Sequence, residues 1–304
     1  MLRFAAELAL SCLLAGGVWA ETFAASENVS PELWVTLPES STQAAGAFRL
    51  DWGYDFQRGN RADRVFNADQ TQTGTRRNRR KTHLVDWQVK YGLTDRLQLE
   101  TDLLYQAYRQ HTHSDGDEHD RNDDGDFDQI FTGMSWKLLR ESASRPALRV
   151  RGGLRWPNRA ENEGIGQEFG VDWLAVAGKQ FGAIRVTGSV GVTVTFDNHD
   201  QPADPIFQTT PFSKGHDLRT LAYGLGLSRA LDERWQLSLE LAGRTFDTIE
   251  LNRRMQESAL ALTPGLFYRG RLRHADIWVG IGVPIGLTHD TDHIGVSIQT
   301  GLRF

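Results

Sequence analysis

The chain has 304 residues, a formal net charge of −5 and 24% charged residues, with 30 glycines, nine tryptophans and one cysteine. Charge this mild and interspersed excludes a nucleic-acid binder, one cysteine excludes a disulfide framework, and beyond residue 20 no apolar run is long enough for a transmembrane helix. The mean hydropathy of −0.44 is that of a soluble protein, yet so many glycines and tryptophans suit a crowded sheet that meets a bilayer.

Residues 1–20 read as an export signal: Arg3 supplies the basic region, Leu8 to Val18 the apolar core, and Val18-Trp19-Ala20 the small-residue cleavage pattern. Cys12 leaves with the signal, so the mature chain is expected to carry no cysteine. Residues 21–44, with Pro31, Pro38 and a Ser/Thr cluster, fit a periplasmic N-terminal segment or a small plug.

From residue 45 to 304 the chain reads as a transmembrane antiparallel up-and-down β-barrel of about twelve strands. The expected strands are 45–57, 82–92, 95–109, 126–140, 146–157, 167–180, 183–197, 216–230, 233–248, 257–270, 274–287 and 293–304. Successive strand side chains point to opposite faces, and several segments separate cleanly. Phe48, Leu50, Trp52, Tyr54 and Phe56 alternate with Arg49, Asp51, Gly53 and Asp55. Ile184, Val186, Val190, Val192 and Val194 alternate with Arg185, Thr187, Ser189, Gly191 and Thr193. Ile294, Val296, Ile298, Leu302 and Phe304 share one parity of the last strand. With no helix to span a membrane, only a sheet closed on itself satisfies its backbone in hydrocarbon.

Short connections at Thr94-Asp95, Phe181-Gly182, Leu231-Asp232 and Gly270-Arg271 alternate with long hydrophilic ones at 58–81, 110–125, 158–166, 198–215 and 248–256. That is the pattern of short periplasmic turns and long outer loops. Aromatics gather at strand ends in two belts: Tyr91, Trp136, Phe181, Trp235, Tyr268 and Phe304 on the periplasmic side, and Tyr105, Trp156, Phe169 and Phe196 on the outer side.

The runs Tyr91-Gly92-Leu93-Thr94-Asp95-Arg96-Leu97-Gln98-Leu99, Gly125-Asp126-Phe127-Asp128, and Tyr223-Gly224-Leu225-Gly226-Leu227 before Leu231-Asp232-Glu233-Arg234-Trp235 carry a resemblance. Over roughly residues 82–304 the chain resembles the bacterial outer-membrane barrel family associated with the meta-cleavage pathway of phenol degradation. The resemblance implies a Gram-negative outer-membrane barrel, a transporter of hydrophobic or aromatic compounds with no catalytic residues. These are turn motifs, so they specify architecture more than chemistry.

The inward parity collects Asp51, Asp55, Asp86, Glu100 and Asp102, then Lys137, Arg149, Arg151 and Arg155, with Arg185, Glu240, Arg244 and Arg303 around the rest of the wall. Charges this numerous must be hydrated or cross-paired, so the interior is either a narrow wet pore between an acidic and a basic wall or a salt-bridged plug of side chains. In the loop at 110–128, Asp120, Asn122, Asp124, Gly125 and Asp126 match the opening of a calcium loop. Phe131 stands where the closing Glu belongs, which leaves a partial calcium site or a solvated acidic loop. His111, His113 and His119 nearby offer a weaker zinc or copper alternative. Arg76, Arg77, Arg79, Arg80 and Lys81 fall near the outer rim, placed either to pair with lipopolysaccharide phosphates or to remain a solvated basic loop.

The expected function is passive uptake of small hydrophobic or aromatic molecules across the outer membrane, without enzyme activity or cofactor. The alternatives are a non-conducting barrel that binds lipopolysaccharide or a partner through its outer loops and, third, a lipid hydrolase built on His293 and Ser297. Expected partners are outer-membrane lipid, a small solute, and the barrel assembly machinery through the strand ending at Phe304.

Overall fold

A computed structural model describes residues 37–66, 72–114, 119–157, 169–196, 218–250, 253–272, 274–288 and 294–304. The expected signal at 1–20 and residues 21–36 lie outside the described residues. The elements are β1 (Phe48–Phe66), β2 (Gln72–Gly92), β3 (Leu97–Ser114), β4 (His119–Leu139), β5 (Ala147–Pro157), β6 (Phe169–Phe181), β7 (Ile184–Phe196), β8 (Leu218–Ala230), β9 (Trp235–Glu250), β10 (Arg253–Leu272), β11 (Ala275–Gly282), β12 (Ile285–Gly286) and β13 (Ile294–Arg303). Each pairs antiparallel with its sequence neighbour, except that β12 continues the line of β11 between β10 and β13. β1 then pairs with β13 from Arg49↔Arg303 to Arg58↔Ile294, and the amide of Phe304 donates to the carbonyl of Phe48 at 2.9 Å. The thirteen segments therefore form a closed barrel of twelve staves.

The period-2 pattern decides which face is which. Trp52, Trp87, Trp173, Val190, Leu225, Leu239 and Val279 stand exposed on the exterior. Arg49, Gln98, Glu100, Arg149, Thr187, Glu240 and Ser297 are buried on the interior. An apolar exterior of this extent around a charged interior is stable only with hydrocarbon outside. Both aromatic belts are present: the rings of Trp235 and Tyr268 meet edge-on at 5.0 Å at one end, and those of Trp156 and Phe169 at 5.3 Å near the other.

The short connections gather at one end, called here the turn end. Leu93-Thr94-Asp95-Arg96-Leu97 and Leu231-Asp232-Glu233-Arg234-Trp235 fold alike, the first amide donating to the last carbonyl at 2.9 Å in both. Thr94 Oγ1 accepts from the amides of Arg96 and Leu97, and Asp232 Oδ1 from those of Arg234 and Trp235. Those two donors hold the Asp232 carboxyl below the usual aspartate range. Gly182 turns β6 into β7 with φ +58°, a left-handed conformation that suits glycine.

Two expectations need correction. The segments 58–66 and 72–81, 110–114 and 119–125, and 248–250 and 253–256 are strand, not loop, because β1–β4 and β9–β10 continue pairing well past the apolar belt. Both faces there are hydrophilic, so hydropathy carries no alternation, while the backbone ladder closes regardless. The expected continuous strand at 274–287 breaks at Val283-Pro284, since proline has no N–H for the ladder.

Leu225→Lys, on the exterior midway along β8, is expected to destabilise the barrel by about 2–4 kcal/mol, as a cation near the bilayer midplane does. Ala222→Lys, inward and exposed on the same strand, should cost about 1 kcal/mol or less. Urea unfolding in lipid vesicles compares the two.

Candidate functional site

The largest group of interior charges is a chain of ion pairs on β3, β5 and β6. Glu100 on β3 accepts from Gln98 Nε2 at 2.7 Å, from Arg149 Nη1 at 2.8 Å and from the Ser135 hydroxyl. Arg151, two residues beyond Arg149 and therefore on the same face, reaches Glu100 at 3.5 Å, Asp102 at 3.4 Å and Asp172 of β6 at 3.3 Å. Its guanidinium also lies 4.3 Å from the Phe131 ring centre. Asp172 in turn accepts from Arg155 Nη2 at 2.6 Å and Thr193 Oγ1 at 3.0 Å. Of the expected acidic wall on β1–β3 and basic wall on β4–β5, Glu100 and Asp102 of β3 pair with Arg149 and Arg151 of β5, while Arg155 pairs with Asp172 of β6.

The other expected interior residues join smaller groups. Asp51 pairs with Arg49 at 2.8 Å and Lys90 at 3.2 Å. Asp86 accepts from Gln88 Nε2 at 3.3 Å, while Asp55 and Lys137 are half-buried on the same interior face. Arg303 pairs with Asp276, and Arg185 with Glu141 at 3.3 Å. Arg244 and its register partner Ala222 are inward yet exposed, so the interior is open to water toward the hairpin end.

The turn end is occupied by the chain's own lead-in. The Leu37 amide donates to Glu240 Oε2 on β9 at 3.0 Å, and its side chain lies against Gly224 on β8. Glu39 pairs with Arg49 on β1, Ser40 Oγ accepts from Arg185 on β7 at 3.0 Å, and the Gln43 amide donates to Gln98 Oε1 on β3 at 2.6 Å. Leu37, Glu39, Ser40, Thr42 and Gln43 are all buried. A segment that reaches β9, β8, β7, β3 and β1 in seven residues crosses the lumen. Below it, Phe267 and Trp278 lie flat on the wall, where a Cβ at Gly280 or Gly301 would overlap their rings.

The residues missed by sequence reasoning are Asp172, Lys90, Arg49, Gln98, Ser135 and the lead-in's Glu39 and Ser40. Asp172 had a legible signal, because it shares inward parity between Val171 and the exterior Trp173. The lead-in, without periodicity, had none.

At the hairpin end, Lys81 is exposed on β2, and Arg76, Arg77, Arg79 and Arg80 continue the same strand; their side chains lie outside the described residues. Asp120, Asn122, Asp124 and Asp126 lie along β4, paired to β3, with side chains likewise outside the description. A strand spaces alternate positions about 6.8 Å apart in a row, which differs from the convergent loop implied by the calcium pattern. His111 and His113 lie on β3 and His119 on β4. His293 is outside the described residues, and Ser297 is buried on the interior.

No protein-family model and no curated protein matches the sequence. Among solved structures, the fold is similar to an outer membrane channel from Pseudomonas putida F1, with TM-score 0.56 and 13% identity over 89% of this chain and 100% of that one. It is also similar to the transport unit of an Escherichia coli autotransporter, with TM-score 0.47 and 9% identity over 86% of this chain and 90% of that one. The translocator domain of a Neisseria meningitidis autotransporter gives TM-score 0.45 and 11% identity over 86% and 89%. The architecture is that of a closed, twelve-stranded antiparallel outer-membrane β-barrel.

Glu100→Leu leaves Arg149 buried without its main carboxylate and is expected to destabilise the barrel by about 3–5 kcal/mol. Glu100→Leu with Arg149→Met should recover much of that loss, since both charges then leave the interior together. Equilibrium unfolding of the three proteins forms the cycle.

Proposed function

We propose that this chain is a channel of the Gram-negative outer membrane for passive uptake of small molecules, with its turn end in the periplasm and its long hairpins outside. The observation that carries this reading is the pairing of an apolar exterior with an interior that opens to water at Ala222 and Arg244. Likeness in fold to a protein described as an outer membrane channel agrees with it.

Hydrophobic or aromatic compounds are the proposed solutes, a choice that rests on the resemblance of the turn motifs to those of the phenol-degradation barrel family. No step of chemistry is assigned, and the strand ending at Phe304 is proposed to be read by the barrel assembly machinery.

The lead-in at Leu37–Gln43 favours a second reading, a barrel that does not conduct and acts through its outer hairpins. Deleting residues 37–43 separates the two. The channel reading expects low conductance in a planar bilayer from the intact chain and a marked increase after the deletion. Cells lacking the protein should also take up a labelled phenol more slowly. A barrel silent before and after deletion, with phenol uptake unchanged in its absence, contradicts the channel.

A further inference from the structure

The exterior columns of β1, β2 and β3 end alike. From Phe48 to Phe56, from Tyr91 to His83 and from Leu99 to Ala107, every second residue faces out, and the polar ones are few; His83 Nδ1 meets the Tyr54 hydroxyl at 2.8 Å. The next exterior position on each strand is a cation: Arg58, Lys81 and Arg109, all exposed. Register makes them one rung, with Lys81 directly opposite Arg58 on one side and Arg109 on the other. On β4 the position opposite Arg109 is Asp123.

Phe48, Tyr91 and Leu99 also form one rung, ten residues below on each strand. Ten residues at about 3.3 Å, tilted by about 40°, rise roughly 25 Å, the height of the apolar band of an outer membrane. The three cations therefore emerge where hydrocarbon gives way to headgroups. On β5, β6 and β7 the exterior columns reach that height with the aromatics Trp156, Phe169 and Phe196, and on β8 with the single cation Arg219. Like charges directly opposite on neighbouring strands, about 4.8 Å apart, destabilise a sheet unless an anion lies between them. Two strand positions higher, Arg79 is in register with Asn60 and His111, and Arg77 two beyond that with Ala62 and His113.

We propose that the Arg58–Lys81–Arg109 rung is a binding surface for the phosphates of lipopolysaccharide lipid A in the outer leaflet. It rests on the membrane placement proposed above, with the hairpin end outward. Guanidinium and ammonium groups just above the apolar band meet the lipid A phosphates while the columns below accept its acyl chains. Of the expected cluster at residues 76–81, Lys81 belongs to this rung.

The test is native mass spectrometry of the full-length barrel in detergent, titrated with bis-phosphorylated lipid A, dephosphorylated lipid A or phosphatidylglycerol. Folding of each variant is checked by heat-modifiable gel mobility. Wild type should prefer bis-phosphorylated lipid A over both other lipids. Arg58→Gln/Lys81→Gln/Arg109→Gln should bind it on the order of a hundredfold more weakly, and Arg76→Gln/Arg80→Gln should match wild type. If the triple variant does not fold, Lys81→Gln alone should show a loss of about fivefold. Equal binding of the three lipids, an unweakened variant of the rung, or equal weakening by the Arg76/Arg80 variant overturns the proposal. A barrel that conducts but ignores lipid A sinks this surface alone; one that binds lipid A without passing any solute sinks only the channel reading.

Discussion

The structure depends on the ladder between β1 and β13. In hydrocarbon an unbonded amide costs several kcal/mol, so a sheet with free edges has no stable place there. Ten register pairs from Arg49↔Arg303 to Arg58↔Ile294 remove both edges at once. Closure also decides the chemistry: with every backbone group bonded along the wall, the period-2 alternation sends one set of side chains to lipid and the other to a confined interior.

That interior gathers many charges, and confinement makes them pair. Glu100, Arg149, Arg151, Asp102, Asp172 and Arg155 form a band across the four staves β3 to β6, and the lead-in from Leu37 to Gln43 adds its own backbone and carboxylate to the interior. The two ends of the barrel consequently differ. The turn end is dry and occupied, with Ser40, Glu240 and Thr263 inaccessible to solvent, while the hairpin end keeps Ala222 and Arg244 in water.

Much of this architecture was legible from single strands. The column Phe48–Phe56 against Arg49–Asp55 declares its faces without a partner, and the five-residue turns at Leu93–Leu97 and Leu231–Trp235 mark where strands reverse. What stayed hidden depends on pairs of strands. Phe131 and Phe267 break the polar-in rule, and they fit only because glycines of the same wall, Gly133 and Gly153 for one and Gly280 for the other, leave room for their rings. The outer extension of β1–β4 is hydrophilic on both faces, so no hydropathy pattern exposes it. Within the candidate site, Asp51, Glu100, Arg149 and Arg151 were readable by parity, but the centrality of Asp172 comes from Arg151 and Arg155 both converging on it.

The most direct measurement of the account is which side of one strand meets lipid. With Cys12 replaced by Ser, single cysteines at Leu221, Ala222 and Tyr223 of β8 would carry a bimane label in vesicles of brominated phosphatidylcholine. A closed barrel predicts quenching by bromine at Leu221 and Tyr223 and quenching by aqueous iodide at Ala222. Bromine quenching that fails to alternate across the three positions would contradict the closed, membrane-spanning barrel.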